Sequence, residues 1–196
     1  MSTSTASYHH GDLAAALIRA AMELLEEGGS AALSIRAAAR RAGVSKAAPY
    51  RHYPDRQALL SAVAAVGYQE LAEHLVAAHP APQTAEDLAA VAVAYVQFAL
   101  QRPGLFRVMF VESSDTDGPE EAAAVGAIHA YLEFVVGHAF PAVDPDAMST
   151  AMWALVHGLA LLHLDGKLDA SAPGIVDDRV RAAVHATLTA SGPPAR

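Results

Sequence analysis

The sequence contains no cysteine. This absence excludes a disulfide scaffold, a thiolate metal site and a cysteine nucleophile. Long apolar runs are also lacking, because the most apolar run (88–100) is shorter than the roughly 20 residues that a membrane-spanning helix needs. The N-terminal segment MSTSTASYHHGDL has no basic region followed by an apolar one, so no secretion signal is expected. These absences predict a soluble cytoplasmic protein without a membrane partner.

Strand patterns are missing as well, whereas alanine, the strongest helix former, accounts for 46 of the 196 residues. No stretch of strand length alternates β-branched or aromatic residues with polar ones. Apolar residues instead recur at helical spacing between glycine, proline and capping signals. The sequence therefore predicts an all-α chain of about nine helices, at approximately 12–27, 34–42, 46–53, 55–79, 84–102, 105–111, 119–139, 144–164 and 174–190.

Positive charge is scarce and concentrated in one segment. Residues 34–56 hold six of the 13 Lys and Arg residues and one of the 21 Asp and Glu residues, a net charge of +5 within a chain of net charge −8. An acidic protein with one basic segment is typical of local contact with a polyanion. On charge alone, a solvated helix face explains the pattern equally well.

The basic segment also carries the signals of a helix-turn-helix motif at about 34–54. Ser34 is expected to cap its first helix, and Gly43 supplies the backbone freedom for a tight turn. Ser45 is placed to cap the second helix and to hold a phosphate with the free N–H groups there. Small residues at Ala47 and Ala48 allow that helix to approach base edges. Within the expected helix, Pro49 removes the first hydrogen bond.

The ungapped segment from Tyr8 to Ala64, with its GVS turn and YRHYPDRQALL stretch, resembles the DNA-binding domain of TetR-family transcriptional regulators. The resemblance implies that Arg36 reaches DNA and that Lys46, Ala47 and Ala48 face bases. It also implies that Tyr50 and His52 hold phosphates and that Arg56 steadies the DNA backbone. Pro49 stands where the family more often has a bulky aliphatic or hydroxyl residue. The complete predicted DNA-binding set is Ser34, Arg36, Ser45, Lys46, Ala47, Ala48, Tyr50, Arg51, His52 and Arg56.

The predicted organisation has two domains between flexible ends. An N-terminal arm (1–11), in which His9 and His10 either touch DNA or stay free, precedes the DNA-binding domain (12–72). A larger helical domain for ligand binding and dimerisation (73–190) follows, and 191–196 form a tail. Within the larger domain, MWALVHGLALLHLDGKL resembles a C-terminal domain type of part of the TetR family, marked by Trp153, His157 and Gly158. That resemblance implies a ligand-sensing and dimerising domain.

Aromatic and sulfur-containing side chains crowd the middle of the chain, where they line a ligand pocket or form ordinary core. The predicted pocket consists of Tyr95, Phe98, Phe106, Met109, Phe110, His129, Leu132, Trp153 and His157. A metal site at His129, Glu133 and His157, or at His163 and Asp165, has only weak spacing support. No cofactor is expected. A nucleophile elbow, a phosphate-binding Gly-rich loop and an HExxH motif are all absent from the sequence, so no enzyme is expected.

The function that follows is a ligand-responsive, sequence-specific DNA-binding regulator, a repressor released from a palindromic operator by a small molecule. One short helix gives little specificity, whereas a dimer presents two such helices about one DNA turn apart. The last two helices either pair with their copies or stay buried within one chain. The fourth helix would connect ligand pocket and DNA-binding domain. The alternative is a binding module for a hydrophobic ligand or a protein, with vestigial DNA binding.

Overall fold

The computed structural model describes residues 13–112, 119–139 and 144–190. The predicted arm and tail lie outside the described residues. Every regular element in the described part of the chain is helical, which confirms the all-α prediction. The α-helices are α1 (Leu13–Ala32), α2 (Ile35–Arg41), α3 (Arg56–Ala78), α4 (Ala85–Gln101), α5 (Pro103–Arg107), α6 (Pro119–Ala139), α7 (Pro145–Leu164) and α8 (Pro173–Ala190).

The first three helices form a small unit of their own. Leu17 and Leu25 of α1 and Leu60 of α3 are fully buried in its centre. Ala38 of α2 is also completely buried, and its small side chain lets α2 pack closely against α1. Near its end, α1 kinks at Gly29, whose φ of 64° lies in the left-handed region that favours glycine. The kink turns the chain toward α2.

The predicted cap at Ser34 is confirmed, whereas the predicted cap at Ser45 is wrong, because Ala47 precedes the 3-10 helix and makes no side-chain capping hydrogen bond. The Ala37 N–H donates to Ser34 Oγ (3.1 Å) at the start of α2, and the Ala58 N–H donates to Asp55 Oδ1 (2.8 Å) at the start of α3. Thr84 and Asp87 form a capping box at the start of α4. These bonds satisfy backbone donors that a helix start leaves without partners.

The predicted helix at 46–53 is wrong in type and length. The structure has a 3-10 helix over Ala48–Arg51 instead. Pro49 explains the difference, because it has no N–H to donate to the Ser45 carbonyl. The Ala48 N–H donates to that carbonyl (3.1 Å), which closes a 3-10 turn. Within the described ranges, eight α-helices, one 3-10 helix and one π-helical turn stand where nine helices were expected.

The larger bundle surrounds α4, which packs against α3, α7 and α8. A π-helical turn (Val108–Glu112) continues α5 and lies on α3. The contact is close at Gly67 in α3, where a β-carbon would lie 2.7 Å from Met109 Sδ and would have to displace that side chain. The Tyr68 hydroxyl donates to the Met109 carbonyl (2.7 Å), which fixes this contact in one register. Helix α3 therefore runs from the unit of the first three helices into the bundle as one continuous helix.

Candidate functional site

Part of the basic segment forms one exposed surface. Arg36 on α2 and Lys46, Ala47 and Tyr50 around the 3-10 helix line a single open concavity. Tyr50 is 46% exposed although it is a large aromatic residue. The surface thus combines two cations, a phenol hydroxyl and a small methyl group, which are the groups that contact phosphates, base edges and thymine methyls.

The remaining predicted DNA-binding residues differ in accessibility. Ser45, Arg51 and His52 are exposed beside the concavity, whereas Ala48 is half-buried. Ser34 is exposed as well, but its hydroxyl accepts the capping hydrogen bond described above. Pro49 is buried beneath the surface and anchors the 3-10 helix to the unit. The exposed surface therefore consists of Lys46 and Ala47 just before the 3-10 helix and Tyr50 within it, rather than Ala48.

Two of the basic side chains are held by the protein itself. Arg41 bridges Glu23 (3.1 Å) and Glu27 (2.6 Å) on α1. Its hydrogen bonds to these carboxylates raise the Arg41 pKa and keep the side chain charged. Arg56 donates to the carbonyls of Leu33 (3.1 Å) and Ser30 (2.9 Å), and so ties the start of α3 to the α1–α2 connection. Both arginines stabilise the unit formed by α1, α2 and the start of α3.

A cavity lies between four helices of the bundle. Its volume is about 30 Å³, and its lining is almost entirely carbon. Helices α3, α4, α6 and α7 contribute Leu75, Leu88, Val91, Ala92, Tyr95, Ile128, Leu132, Val136, Met152, Trp153 and Val156. A cavity of this size holds little more than a water molecule, so a larger ligand must displace side chains.

One polar cluster borders this cavity. The Tyr95 hydroxyl lies 3.0 Å from His157 Nδ1, and Trp153 Nε1 donates to the same hydroxyl at 3.4 Å. Burial raises the pKa of Tyr95 and lowers the pKa of His157. Both shifts favour the neutral forms near pH 7, so the cluster contributes hydrogen-bonding groups without net charge.

Only part of the predicted pocket lines this cavity. Tyr95, Leu132 and Trp153 line it. His157 stands behind Tyr95, and His129 meets the Trp153 indole edge-on with ring centres 4.6 Å apart. The other predicted side chains belong to the surrounding core. Phe106 and Met109 are buried there. Phe98 contacts His74, and the ring centre of Phe110 lies 4.8 Å from that of His157.

The sequence analysis missed most of the aliphatic lining, including Leu75, Val91 and Met152. These residues follow the apolar periodicity of their helices, and sequence alone does not separate cavity lining from core. No group of three or more His, Asp or Glu side chains within the described ranges is arranged to hold a metal ion. The His129, Glu133 and His157 combination therefore gains no structural support.

Two family models match the chain. Residues 17–63 match "Bacterial regulatory proteins, tetR family", and residues 88–187 match the "Tetracyclin repressor-like, C-terminal domain". No curated protein matches the chain. The second match agrees with the Trp153–His157–Gly158 subtype without specifying it.

Solved structures share the fold over nearly the whole length. A Rhodococcus sp. RHA1 protein of unknown function is 35% identical, with a TM-score of 0.80 over 94% of this chain and 97% of its own. The TetR family transcriptional regulator PfmR from Thermus thermophilus is 18% identical, with a TM-score of 0.66 over 90% and 99%. A Rhodococcus sp. RHA1 transcriptional regulator is 20% identical, with a TM-score of 0.73 over 91% and 97%.

Proposed function

The chain belongs to the TetR family of bacterial transcriptional regulators, and from that premise we propose that it is a cytoplasmic repressor released from its operator by a small molecule. The carrying observation is the shared exposed concavity of Arg36, Lys46, Ala47 and Tyr50. Phosphate contacts supply most of the affinity and make it salt-dependent. Lys46, Ala47 and Arg36 supply discrimination between bases, as Ala47 is the small residue that lets the backbone approach them.

Specific binding requires two copies. Leu162 on α7 and Ile175 at the start of α8 are 44% and 39% exposed despite being large and apolar. Helix α7 is long and apolar enough to cross a membrane. This is weak evidence for a membrane span, because a buried helix of a soluble protein can have the same length and composition. We assign this exposed face to a twofold dimer, which would place both recognition surfaces about 34–36 Å apart on one side of a palindromic operator.

Ligand binding affects the DNA-binding unit, which is formed by α1, α2 and the start of α3, through movement of α3. This helix begins beside the recognition surface at Asp55 and carries Leu75 into the cavity wall. At its far end, the Tyr131 hydroxyl of α6 donates to the His79 carbonyl (3.2 Å). A ligand that separates α6 from α4 would therefore move α3 and change the spacing of the two recognition surfaces. A preference of about 1–3 kcal/mol for one spacing is sufficient for such a switch.

Selection of bound sequences from random duplexes tests this function. A palindrome with half-sites about one DNA turn apart is the expected result. Lys46→Ala and Tyr50→Ala should each weaken operator binding roughly 10-fold, and Lys46→Ala should reduce the salt slope by about 1. Lys167→Ala, which removes a charge from the exposed α7–α8 loop, is the matched control. Failure to select any duplex would favour a ligand-binding module without a DNA target.

A further inference from the structure

We propose that the cavity between α3, α4, α6 and α7 accepts uncharged, mainly apolar molecules that carry one hydrogen-bonding group, and that it rejects organic anions and cations. This inference rests on the proposed function, since it names the chemical class of the effector. It follows from the charge of the cavity wall, the hydrogen-bonding capacity of Tyr95 and the compactness of the site.

The wall, as far as the described residues form it, offers no counter-ion. None of the residues that line the cavity carries a charged side chain. His157 bonds the lining residue Tyr95, and His129 contacts the lining residue Trp153 edge-on. Burial lowers the pKa of His157, so this ring is neutral near pH 7. A carboxylate or ammonium group entering the cavity would lose its hydration without gaining an opposite charge. Charged ligands are therefore excluded by the cost of desolvation.

The hydroxyl of the lining residue Tyr95 has one unused hydrogen-bonding position. If Tyr95 donates to His157 Nδ1, the hydroxyl oxygen accepts from Trp153 Nε1 and retains a lone pair. If Nδ1–H donates instead, the oxygen accepts twice and the hydroxyl hydrogen remains available. Among the contacts of the described residues, the Tyr95 hydroxyl therefore keeps one donor or acceptor site in either tautomer. A ligand hydroxyl satisfies both cases, because it both donates and accepts.

The cavity volume of about 30 Å³ restricts the size of the ligand. The wall opens most easily through flexible side chains, and Met152 provides three rotatable bonds and no branch. Leu132 is only half-buried and can turn outward toward solvent. An unbranched chain of moderate length would displace these two side chains and keep its polar end at Tyr95.

Trp153 makes the test direct, because it is the single tryptophan of the chain and lines the cavity. Its fluorescence is titrated with octan-1-ol, octanoate and octylammonium at about pH 8, where an ordinary histidine is neutral. These three probes share the chain length and differ in the charge of the head group. We expect octan-1-ol to bind saturably, and we expect both ions to bind at least about 100-fold more weakly than octan-1-ol. Equal or tighter binding of either ion, or failure of octan-1-ol to bind, overturns the proposal.

Two pairs of variants locate the selectivity. Leu132→Lys adds a cation at the cavity edge and should reverse the preference toward octanoate. The control Val76→Lys adds the same charge one residue after Leu75 but on the exposed face of α3, where Val76 is 45% exposed, and should leave the preference unchanged. Tyr95→Phe should weaken octan-1-ol binding about 10-fold. The control Tyr53→Phe removes a phenol hydroxyl from a buried residue that does not line the cavity, and it should leave octan-1-ol affinity unchanged.

The assignment of ligand class and the proposed regulatory function can fail independently of each other. A protein that selects an operator but binds octanoate as tightly as octan-1-ol remains a regulator and loses this assignment of ligand class. A protein that binds octan-1-ol selectively but selects no duplex keeps the assignment of the cavity and loses the regulatory function.

Discussion

Gly104 in α5 lies directly against the backbone of Leu25 in α1. A β-carbon at Gly104 would overlap the Leu25 carbonyl oxygen and lie 2.9 Å from the carbonyl carbon. One residue after the end of α4, Arg102 donates to Glu26 of α1 (2.7 Å) and Glu70 of α3 (2.8 Å). The start of α5 is therefore docked on the DNA-binding unit at a backbone-to-backbone distance that only glycine permits.

This contact gives α5 a place in the proposed switch. Phe106 of α5 and Phe110 of the π-helical turn contact His157, which bonds Tyr95 at the cavity. From the same short segment, Gly104 touches α1. A displacement of the aromatic cluster would therefore reach the DNA-binding unit through α5 as well as through α3.

Gly104→Ala should destabilise the protein by about 2 kcal/mol, because the added methyl group meets rigid backbone rather than a flexible side chain. Urea unfolding measures the loss. Gly126→Ala is the matched control, since Gly126 lies in α6 and a β-carbon there would meet nothing within 4 Å. That control should be neutral or stabilising by up to about 1 kcal/mol, because alanine favours the helix. Equal losses in both variants would contradict the close approach.

Arg40 and Arg41 are neighbours with different roles. Arg41 is paired with Glu23 and Glu27, whereas Arg40 is exposed and has no ion-pair partner within the described ranges. Arg40→Ala should weaken DNA binding about threefold or more at low salt, since a free cation near the duplex releases counter-ions. Arg41→Ala should lower the melting temperature and leave the salt slope unchanged. A larger affinity loss for Arg41→Ala than for Arg40→Ala would refute this division.

Pro49 determines the shape of the recognition surface. Pro49→Ala restores an N–H that can donate to the Ser45 carbonyl, so the segment from Lys46 should become α-helical. The resulting rotation of Lys46 and Tyr50 should change affinity for the wild-type operator by about 10-fold, as expected for one or two displaced base or phosphate contacts. Backbone chemical shifts of 46–53 and operator titration measure both effects. Pro80→Ala, an exposed proline after α3, should change neither.

Residue type and local spacing predict the parts of this molecule that depend on near neighbours. Ser34, Asp55 and Thr84 are caps because each side chain reaches a backbone N–H three residues ahead. Helical spacing does not predict the 3-10 helix, because that helix depends on Pro49, which lacks the N–H that would close an α-helical turn. The pairing of Arg41 with Glu27 was not predictable, because it depends on how α2 crosses α1.

The residues that line the cavity are only partly predictable from the sequence. Amphipathic periodicity identifies which faces of α4 and α7 are buried, and so it includes Tyr95 and Trp153. It does not show where four helices fail to fill the space between them. Phe98 and Phe106 satisfy the same pattern as Tyr95, yet they fill core positions. Cavity membership depends on helix rotation and spacing, which arise from packing of the whole bundle.

Stability should fall as pH decreases below about 6.5, the ordinary histidine pKa. His163 lies near the end of α7 and is 4% exposed. Its pKa is lowered first by burial and then by the positive charge of Arg179, and burial also lowers the pKa of His157. Below about pH 6.5 the unfolded chain therefore binds protons that the folded protein does not, so stability present above this pH is lost as pH falls. Asp87 contributes stability that is lost in a separate pH range, below its ordinary pKa of 3.8, because hydrogen bonds from Gln83 and Thr84 lower its pKa in the folded protein. Urea unfolding of wild type and His163→Leu between about pH 8 and 5 should show a shallower loss in the variant. Identical slopes would show that His163 does not contribute.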